Sequence, residues 1–549
     1  IENFVMNNQK PCLVPAGQGF SVLYNNRYLF SKYNPVQSCE RLISSLHILP
    51  GSLIVVFSPV LGYGLQSLIH KIDSDSYIIA VETDPVLFDF SLPYIDKYRS
   101  NSQFEYLYIT PDTDGISLFL NRCSKIVKEE KRFFFRRLLT LNPAASTQTE
   151  EFKSIFTSYT DSFIDFFWKN RITITKMGRL YARNIFKNLP FLSSSSKLMQ
   201  NSIHKPIIVL GAGISLESVI PYLRLHKDDF FIICVDSAVM PLLENGIRPH
   251  IIEAVECQLA NVKAFIGSKN THIHLNTDLT ARPRVHEILN GNLSFFLSEY
   301  ESSSFLNRLK ESIPVRIVPP LGSVGLAAVH TALFLRAPDV PVFFSGLDFS
   351  YIPGKTHCKS APIHRYMLMT SNRLTSTGSH TGFFNKGTEF CGKNCITDFA
   401  LKKYALLFDE EFKGITGLYN LSKLSLITKI PYVTIDTLES YTADFSNLEF
   451  PKPLDGLTYV KKTDPDLRTT ITLFLKNEKE NLLKIKNCLI RGSLTERDLL
   501  TLLEQHDYLY LHFPDGYKKP DLSQGFLKRI RAEIDFFLKD IESALSNQE

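Results

Sequence analysis

Two glycine-bearing runs and one histidine loop hold the residue types best suited to chemistry. Gly211, Ala212, Gly213, Ile214, Ser215 and Leu216 follow the short apolar run Ile-Ile-Val-Leu at 207–210. Glycines there let a chain turn sharply out of a strand and bring its backbone close to a ligand. Ser215 is expected to cap a helix opening at that point, and free amides at a helix start attract phosphate. Gly322, Ser323 and Gly325 form a second such run ahead of an apolar helix. Asp236 and Ser237 end the next apolar run, about twenty residues past the first glycines, where an acidic residue can meet a ribose. Glu256 ends the run after that. Gly-x-Gly alone is a weak signal; these residues together predict a nucleotide-binding site, with a plain tight turn as the competing reading.

The third feature is 345–358, Ser-Gly-Leu-Asp-Phe-Ser-Tyr-Ile-Pro-Gly-Lys-Thr-His-Cys. Asp348, a candidate catalytic residue, is expected at the ligand-bearing end of a buried strand. Gly354 lets the following loop turn back over that edge, and Gly346 and Lys355 are candidates for substrate contact. Histidine titrates near neutral pH, so His357 is the candidate general base. The alternative is a loop histidine bonded only to its neighbours. His364 and His380 are poorer candidates, and His250 with Glu256 are the reserve positions for a base.

Those residues need a parallel sheet to hold them. Apolar runs at 207–210, 230–235, 251–255, 272–275, 293–297, 315–318 and 342–345 alternate with helical patterns, among them 326–335. That rhythm predicts an α/β fold, a Rossmann-like parallel sheet with helices on both faces and ligands at the carboxyl ends of its strands. A smaller α/β domain is expected at 1–125. It opens with a β-rich entry and a hairpin turning at Asn25 and Asn26, then a helix over 39–49. A strand at 53–57, a loop with Gly62 and Gly64, a helix at 65–72 and a strand at 77–81 ending in Glu82 follow. Pro59 lacks an amide to donate, so this unit is expected to be a scaffold that binds neither S-adenosylmethionine nor a nicotinamide cofactor.

Residues 126–200 read as a helical linker carrying Phe152, Phe156, Phe163 and Phe166. Its basic-aromatic run at 131–137 is read as a helix face or partner surface rather than a nucleic-acid contact. The central catalytic domain is assigned to 201–450 and a helical domain to 451–549, with Ser493 and Glu496 as a capping box. The 549 residues carry a net charge of +5, too little to imply nucleic acid. Nine cysteines lack framework spacing, no secretory signal is visible, and no apolar run reaches bilayer length; these point to a cytoplasmic protein without a membrane span. The first residue is Ile1 rather than Met, which suggests that a preceding piece is absent. Cys358, Cys391, Cys395, His357 and His380 lie close in sequence but fit no zinc spacing, so free thiols and no metal are expected.

The glycine run at 211–216, Asp236-Ser237, Pro249 ahead of a strand, the run at 322–325 and Ser345-Gly-Leu-Asp-Phe349 together resemble the motility-associated factor proteins, bacterial flagellin nonulosonic-acid transferases. Lys176, Arg179, Asn184 and Asn188 resemble that family's linker, and the likeness covers roughly 20–440. Ile214, His250 and Glu256 depart from the family pattern, where proline, aspartate and aspartate are usual. The resemblance implies a central domain similar to bacterial sialyltransferases, which also shares a domain label with hydroxymethylpterin diphosphokinases. It implies transfer of a pseudaminic or legionaminic type of acid from a CMP-linked donor to Ser or Thr of flagellin, in support of flagellum assembly and motility. It implies no tightly bound cofactor, and it supports His357 through a Gly-Lys-x-His pattern. Two other readings stay open: an ATP-dependent diphosphokinase, which would need magnesium and a carboxylate cluster, and a non-catalytic flagellar binding protein.

Overall fold

A computed structural model describes residues 10–129, 136–145, 147–301, 303–377, 388–391, 395–445, 464–492, 494–516 and 520–547. His380, the basic-aromatic residues 131–135 and Ser493 lie outside them, as does the side chain of Phe166. The chain divides into two compact units, Ile1–Lys176 with Phe513–Lys519, and Met177–His512 with Pro520–Glu549.

The first unit opens on an antiparallel sheet of β1 (Cys12–Pro15), β2 (Phe20–Tyr24) and β3 (Arg27–Tyr28). The hairpin turns at Asn25 and Asn26, with φ of 50° and 58°, the left-handed conformation that asparagine tolerates best among side-chain-bearing residues. The following helix is Pro35–Ser45, earlier than the expected 39–49, because Asn34 caps it through the Gln37 amide and Pro35 starts it. β4 (Ser52–Phe57), β5 (Tyr77–Glu82), β6 (Phe104–Tyr108) and β7 (Arg136–Leu141) form a parallel sheet ordered β6-β5-β4-β7. Alternate residues face opposite layers: Leu53, Val55 and Phe57 meet Phe119, Phe152 and Phe156, while Ile54 and Val56 meet Leu65, Leu68 and Ile95. β7 lies where a helical linker was expected. The helix Glu150–Leu192 begins after it.

In the second unit, β8 (Ile207–Leu210), β9 (Phe231–Val235), β10 (Ile251–Ala254), β11 (His274–Asp278), β12 (Leu293–Ser298), β13 (Arg316–Val318), β14 (Val342–Ser345) and β17 (Leu418–Asn420) form one parallel sheet. Its order is β13-β12-β11-β10-β9-β8-β14-β17. β15 (Thr388–Phe390) and β16 (Ile396–Asp398) make a separate antiparallel ribbon. The strand expected at 272–275 falls at 274–278, and β17 is an edge strand that the sequence pattern did not reveal. The apolar helix Val324–Leu335 packs across β8, β9 and β10.

The C-terminal helices belong to this same unit. Asp507 accepts from the amides of Ser304 (2.7 Å) and Phe305 (3.2 Å) at the start of the helix Ser304–Ser312. Arg179 pairs with Glu533, and Arg183 with Asp540 at 2.5 Å, joining the far half of the Glu150–Leu192 helix to the last helix, Gln524–Ser546. The helix Glu496–Gln505 is capped by Thr495 on the Asp498 amide.

Candidate active site

From β8 the chain builds outward through β9 to β13, then returns to lay β14 on the other side of β8. The strand order therefore reverses between β8 and β14, and the crevice at their carboxyl ends is where such sheets bind ligands. The glycine run and the Gly346–Phe349 turn meet there. Gly211 donates its amide to Ser345 O and Gly213 to Gly346 O, both at 2.8 Å. A Cβ on Gly346 would lie 2.1 Å from Gly211 O, one on Gly211 2.2 Å from Gly346 O, and one on Gly213 2.4 Å from Asp348 Oδ2. Only glycine fits such a backbone-to-backbone approach. A Cβ on Gly325 would meet Leu347 Cδ2 at 2.5 Å, so the second glycine run packs against the same turn.

Gly346 and Phe349 both have left-handed backbone, with φ of 72° and 51°. They bracket Asp348 and turn its carboxylate onto the start of the helix Leu216–His226. Asp348 accepts from the Ser215 amide (2.9 Å), Ser215 Oγ (2.5 Å) and Ser422 Oγ (2.7 Å). Burial pushes its pKa up, and these donors oppose the shift. The sequence expectation is corrected here in two respects. Ser215 makes no side-chain cap of its own helix; its hydroxyl serves Asp348 and accepts from the Gly346 amide at 2.8 Å. Four of the amides expected to hold phosphate already have protein acceptors: those of Gly211 and Gly213 bond to carbonyls, that of Ser215 to Asp348, and that of Leu216 to Gly213 O. An internal carboxylate thus takes the place at the helix dipole that an anion would otherwise fill. Asp348 is a buried brace of the crevice and faces the helix start.

The His357 loop is tied onto this turn. Cys358 donates its amide to Ala212 O at 2.8 Å. Glu217, in the first turn of the helix, accepts from Lys355 Nζ (2.7 Å) and from the Lys359 amide (2.6 Å). His357 sits between those two anchors, half-buried, with Nδ1 3.0 Å from Thr356 Oγ1. Burial, with a smaller contribution from His364, lowers its pKa to about 4, so its imidazole is neutral at physiological pH. Lys355, expected at the substrate, is engaged by Glu217. Ser422 also lines an open cavity of about 580 Å³ past β17, together with Lys423, Ser425, Thr428 and Tyr432.

A second group lies at the ends of β9 and β10. Asp236 is buried, accepts from the Ser237 amide at 2.6 Å, and is pushed up to about 6 by burial, with Glu256 adding to the rise. Glu256 accepts from the Gln258 amide at 2.9 Å. At the end of β13, Ser323 caps the next helix by accepting from the Gly325 amide (3.3 Å), and Gly322 makes room for the ring of Tyr404. His250 lies just before β10, at the amino-terminal edge of the sheet. There Nδ1 accepts from the Ile232 amide at 2.8 Å and the ring stacks on Phe231, so it is removed from the list of possible bases.

Sequence reasoning missed Glu217 and Ser422, which hold the loop and the brace. An acidic residue in a first helical turn was the only available signal for Glu217, and Ser422 had none. Asn184 and Asn188, one helical turn apart, each bridge two carbonyls of the loops after β10 and β11: Cys257 and Thr280, then Leu279 and Ala281. In the sequence their only signal is the linker likeness.

Residues 182–354 match the family described as 6-hydroxymethylpterin diphosphokinase MptE-like, a span that includes the glycine run and Asp348 and stops short of His357. A solved MAf glycosyltransferase from Magnetospirillum magneticum AMB-1 has the same fold over 98% of this chain and 93% of its own, with a TM-score of 0.52 and 14% identity. An uncharacterized protein of Treponema pallidum (strain Nichols) is 31% identical over 96% of this chain and 94% of its own length. The chain belongs to the family of that Treponema protein. It carries an MptE-like domain within the motility-associated factor fold, the combination that its motifs resemble.

Proposed function

We propose that this chain is a glycosyltransferase moving a nonulosonic acid, of the pseudaminic or legionaminic type, from a CMP-linked donor to Ser or Thr of flagellin. The observation that carries the reading is the attachment of the His357 loop to the glycine turn at the switch point, through Glu217 and the Ala212 carbonyl. Likeness to the MAf glycosyltransferase fold over nearly the whole chain supports the transferase class. In this reaction the bond from the sugar's anomeric carbon to the phosphate oxygen breaks, CMP departs with the electron pair, and the acceptor oxygen bonds to that carbon. A base takes the acceptor's proton. A neutral imidazole at His357 has the lone pair for that task, and an approaching anionic donor raises its basicity. Its pKa of about 4 argues against a standing cation that holds the donor's carboxylate.

A second reading, pyrophosphoryl transfer from ATP, is favoured by the description of the family matched by 182–354. Magnesium would then need several oxygen ligands. The buried carboxylates at the strand ends are committed to backbone amides, Asp348 to Ser215 and Asp278 to Thr280 and Ser298. Among the described residues no three His, Cys, Asp or Glu side chains converge as a metal set, so those residues do not fit the ion. Calorimetric titration with CMP and with ATP plus magnesium separates the two readings. The transferase reading expects a CMP heat and transfer from CMP-pseudaminic or CMP-legionaminic acid to flagellin, read by mass spectrometry. An ATP heat that requires magnesium would favour the kinase, and no heat with either would favour a non-catalytic binding protein.

A further inference from the structure

The helix Pro362–Thr370 follows the His357 loop and buries His364 and Met367. It leaves Ile363, Tyr366 and Met369 in solvent, 55%, 55% and 85% exposed. Residues three apart on a helix are neighbours, so these three line one stripe. The short helix Leu259–Phe265 packs beside it, with Lys263 Nζ 4.6 Å from the centre of the Tyr366 ring. Leu259 and Ile266 add further exposed apolar surface there. Single exposed apolar residues are ordinary, whereas a contiguous group with a polar rim marks an interaction site. Methionine, unbranched and polarizable, suits a surface that must fit a partner.

The two chain segments that carry the stripe hold charges of one sign. Residues 357–377 contain Lys359, Arg365 and Arg373 and no Asp or Glu; residues 257–277 contain Lys263 and Lys269 and again no Asp or Glu. Arg365 pairs at 2.5 Å with Glu244 from a neighbouring helix. Glu244 offsets Arg365, and Lys263, Lys269, Lys359 and Arg373 leave the two segments with a net basic charge. It complements a partner with carboxylates flanking an apolar face, and it would repel a basic one.

We propose that the stripe Ile363–Tyr366–Met369, with Lys263 and Arg373 at its rim, docks the polypeptide acceptor through a helical segment with an apolar face and acidic flanks, by the helix-in-groove mode. This assignment rests on the transferase reading, because the stripe continues directly from the loop that carries the candidate base.

The test uses the full chain and a fluorescein-labelled synthetic helix of about 18 residues, leucines on one face and glutamates on the other, followed by anisotropy. A peptide with lysines in place of the glutamates is the control. The glutamate peptide is expected to bind, more weakly at high salt, and the lysine peptide to bind on the order of tenfold more weakly. Tyr366→Ser with Met369→Ser, and separately Lys263→Glu with Arg373→Glu, should each weaken the glutamate peptide on the order of tenfold. All four residues are surface positions, and unchanged CMP heats would show the variants folded. Absence of binding by either peptide, or equal binding to wild type and both variants, overturns the proposal. Co-sedimentation of the wild type but not the variants with vesicles of phosphatidylserine and phosphatidylcholine, without peptide binding, overturns it in favour of a membrane surface. A dimer abolished by the substitutions, again without peptide binding, overturns it in favour of a second copy. A missing CMP heat with intact peptide binding would instead count against the transferase reading alone.

Discussion

In both parallel sheets the strand order reverses beside the first strand, β4 in the N-terminal sheet and β8 in the central one, so each has one crevice at its carboxyl edge. The two crevices are filled in opposite ways. After β4 the turn passes through Ser58 and Val60, both left-handed with φ of 49° and 46°. Val60 is fully buried with Val22, Tyr24, Leu29, Phe30 and Ala144, so apolar side chains and the N-terminal hairpin occupy the space. Gly62 and Gly64 pack near Ile95 and Ile43. Glu82, at the end of β5, is enclosed. One oxygen accepts from Ser58, Gln148 and the Thr83 and Asp84 amides, and the other makes no hydrogen bond among the described residues. Burial, with Asp84 adding to it, raises its pKa to about 7. In the central sheet the strand ends meet through glycine backbones, the carboxylate of Asp348 has three donors, and a histidine loop is fastened on top. The same topology therefore makes a packed scaffold when the turn carries Pro and Val, and a braced platform for a loop when it carries glycine.

The comparison breaks most sharply at Gly346. Gly346→Val drives a branched side chain into the Gly211 carbonyl from a left-handed backbone and should cost on the order of 3 kcal/mol or more, read as a fall in Tm and loss of any CMP heat. A stably folded variant would mean that the two strand ends need not touch. Next in size is His357→Ala, expected to lower turnover about a hundredfold with CMP affinity unchanged. Because the neutral imidazole is the working form, activity should fall with acid, and the acid limb of kcat/KM should lie below that of kcat, since bound anion raises the pKa from about 4. Coincident limbs would show that His357 does not face the donor.

Glu82→Gln probes the other crevice. Its folded pKa of about 7 lies above the ordinary 4.5, so the protonated form stabilises the fold fully below pH 4.5, and that stability is lost as pH rises through 7. The variant should be more stable than wild type at pH 8, by about 3 kcal/mol, and should differ little at pH 4. If Glu82 instead binds a cofactor, titration with S-adenosylmethionine or a nicotinamide dinucleotide would give a heat that the variant lacks. The smallest effect is expected of Glu217→Gln, which weakens the anchor of the His357 loop. It should lower kcat about tenfold while leaving CMP affinity alone, with partial recovery in Glu217→Asp. Equal losses in both parameters would assign Glu217 to binding.

Local pattern determined a good part of this protein. Fully buried parallel strands are short continuous apolar runs, so β8, β9, β10, β12 and β14 were legible from residue type alone, as was the turn at Asn25 and Asn26. β17 was not, because three residues of an edge strand carry no periodicity. Nor was β7, where a basic-aromatic stretch suggested a helix. The site divides along the same line. Glycines and Ser215 announced a turn and a helix start, since those requirements are met within six residues. Only the tertiary structure decided what meets that helix start. Asp348 lies 133 positions away and Ser422 a further 74, and the strand reversal beside β8 brings Asp348 to the amide where a phosphate was expected. A carboxylate and a phosphate satisfy the same dipole and the same donors, so no local reading of residues 211–216 distinguishes them.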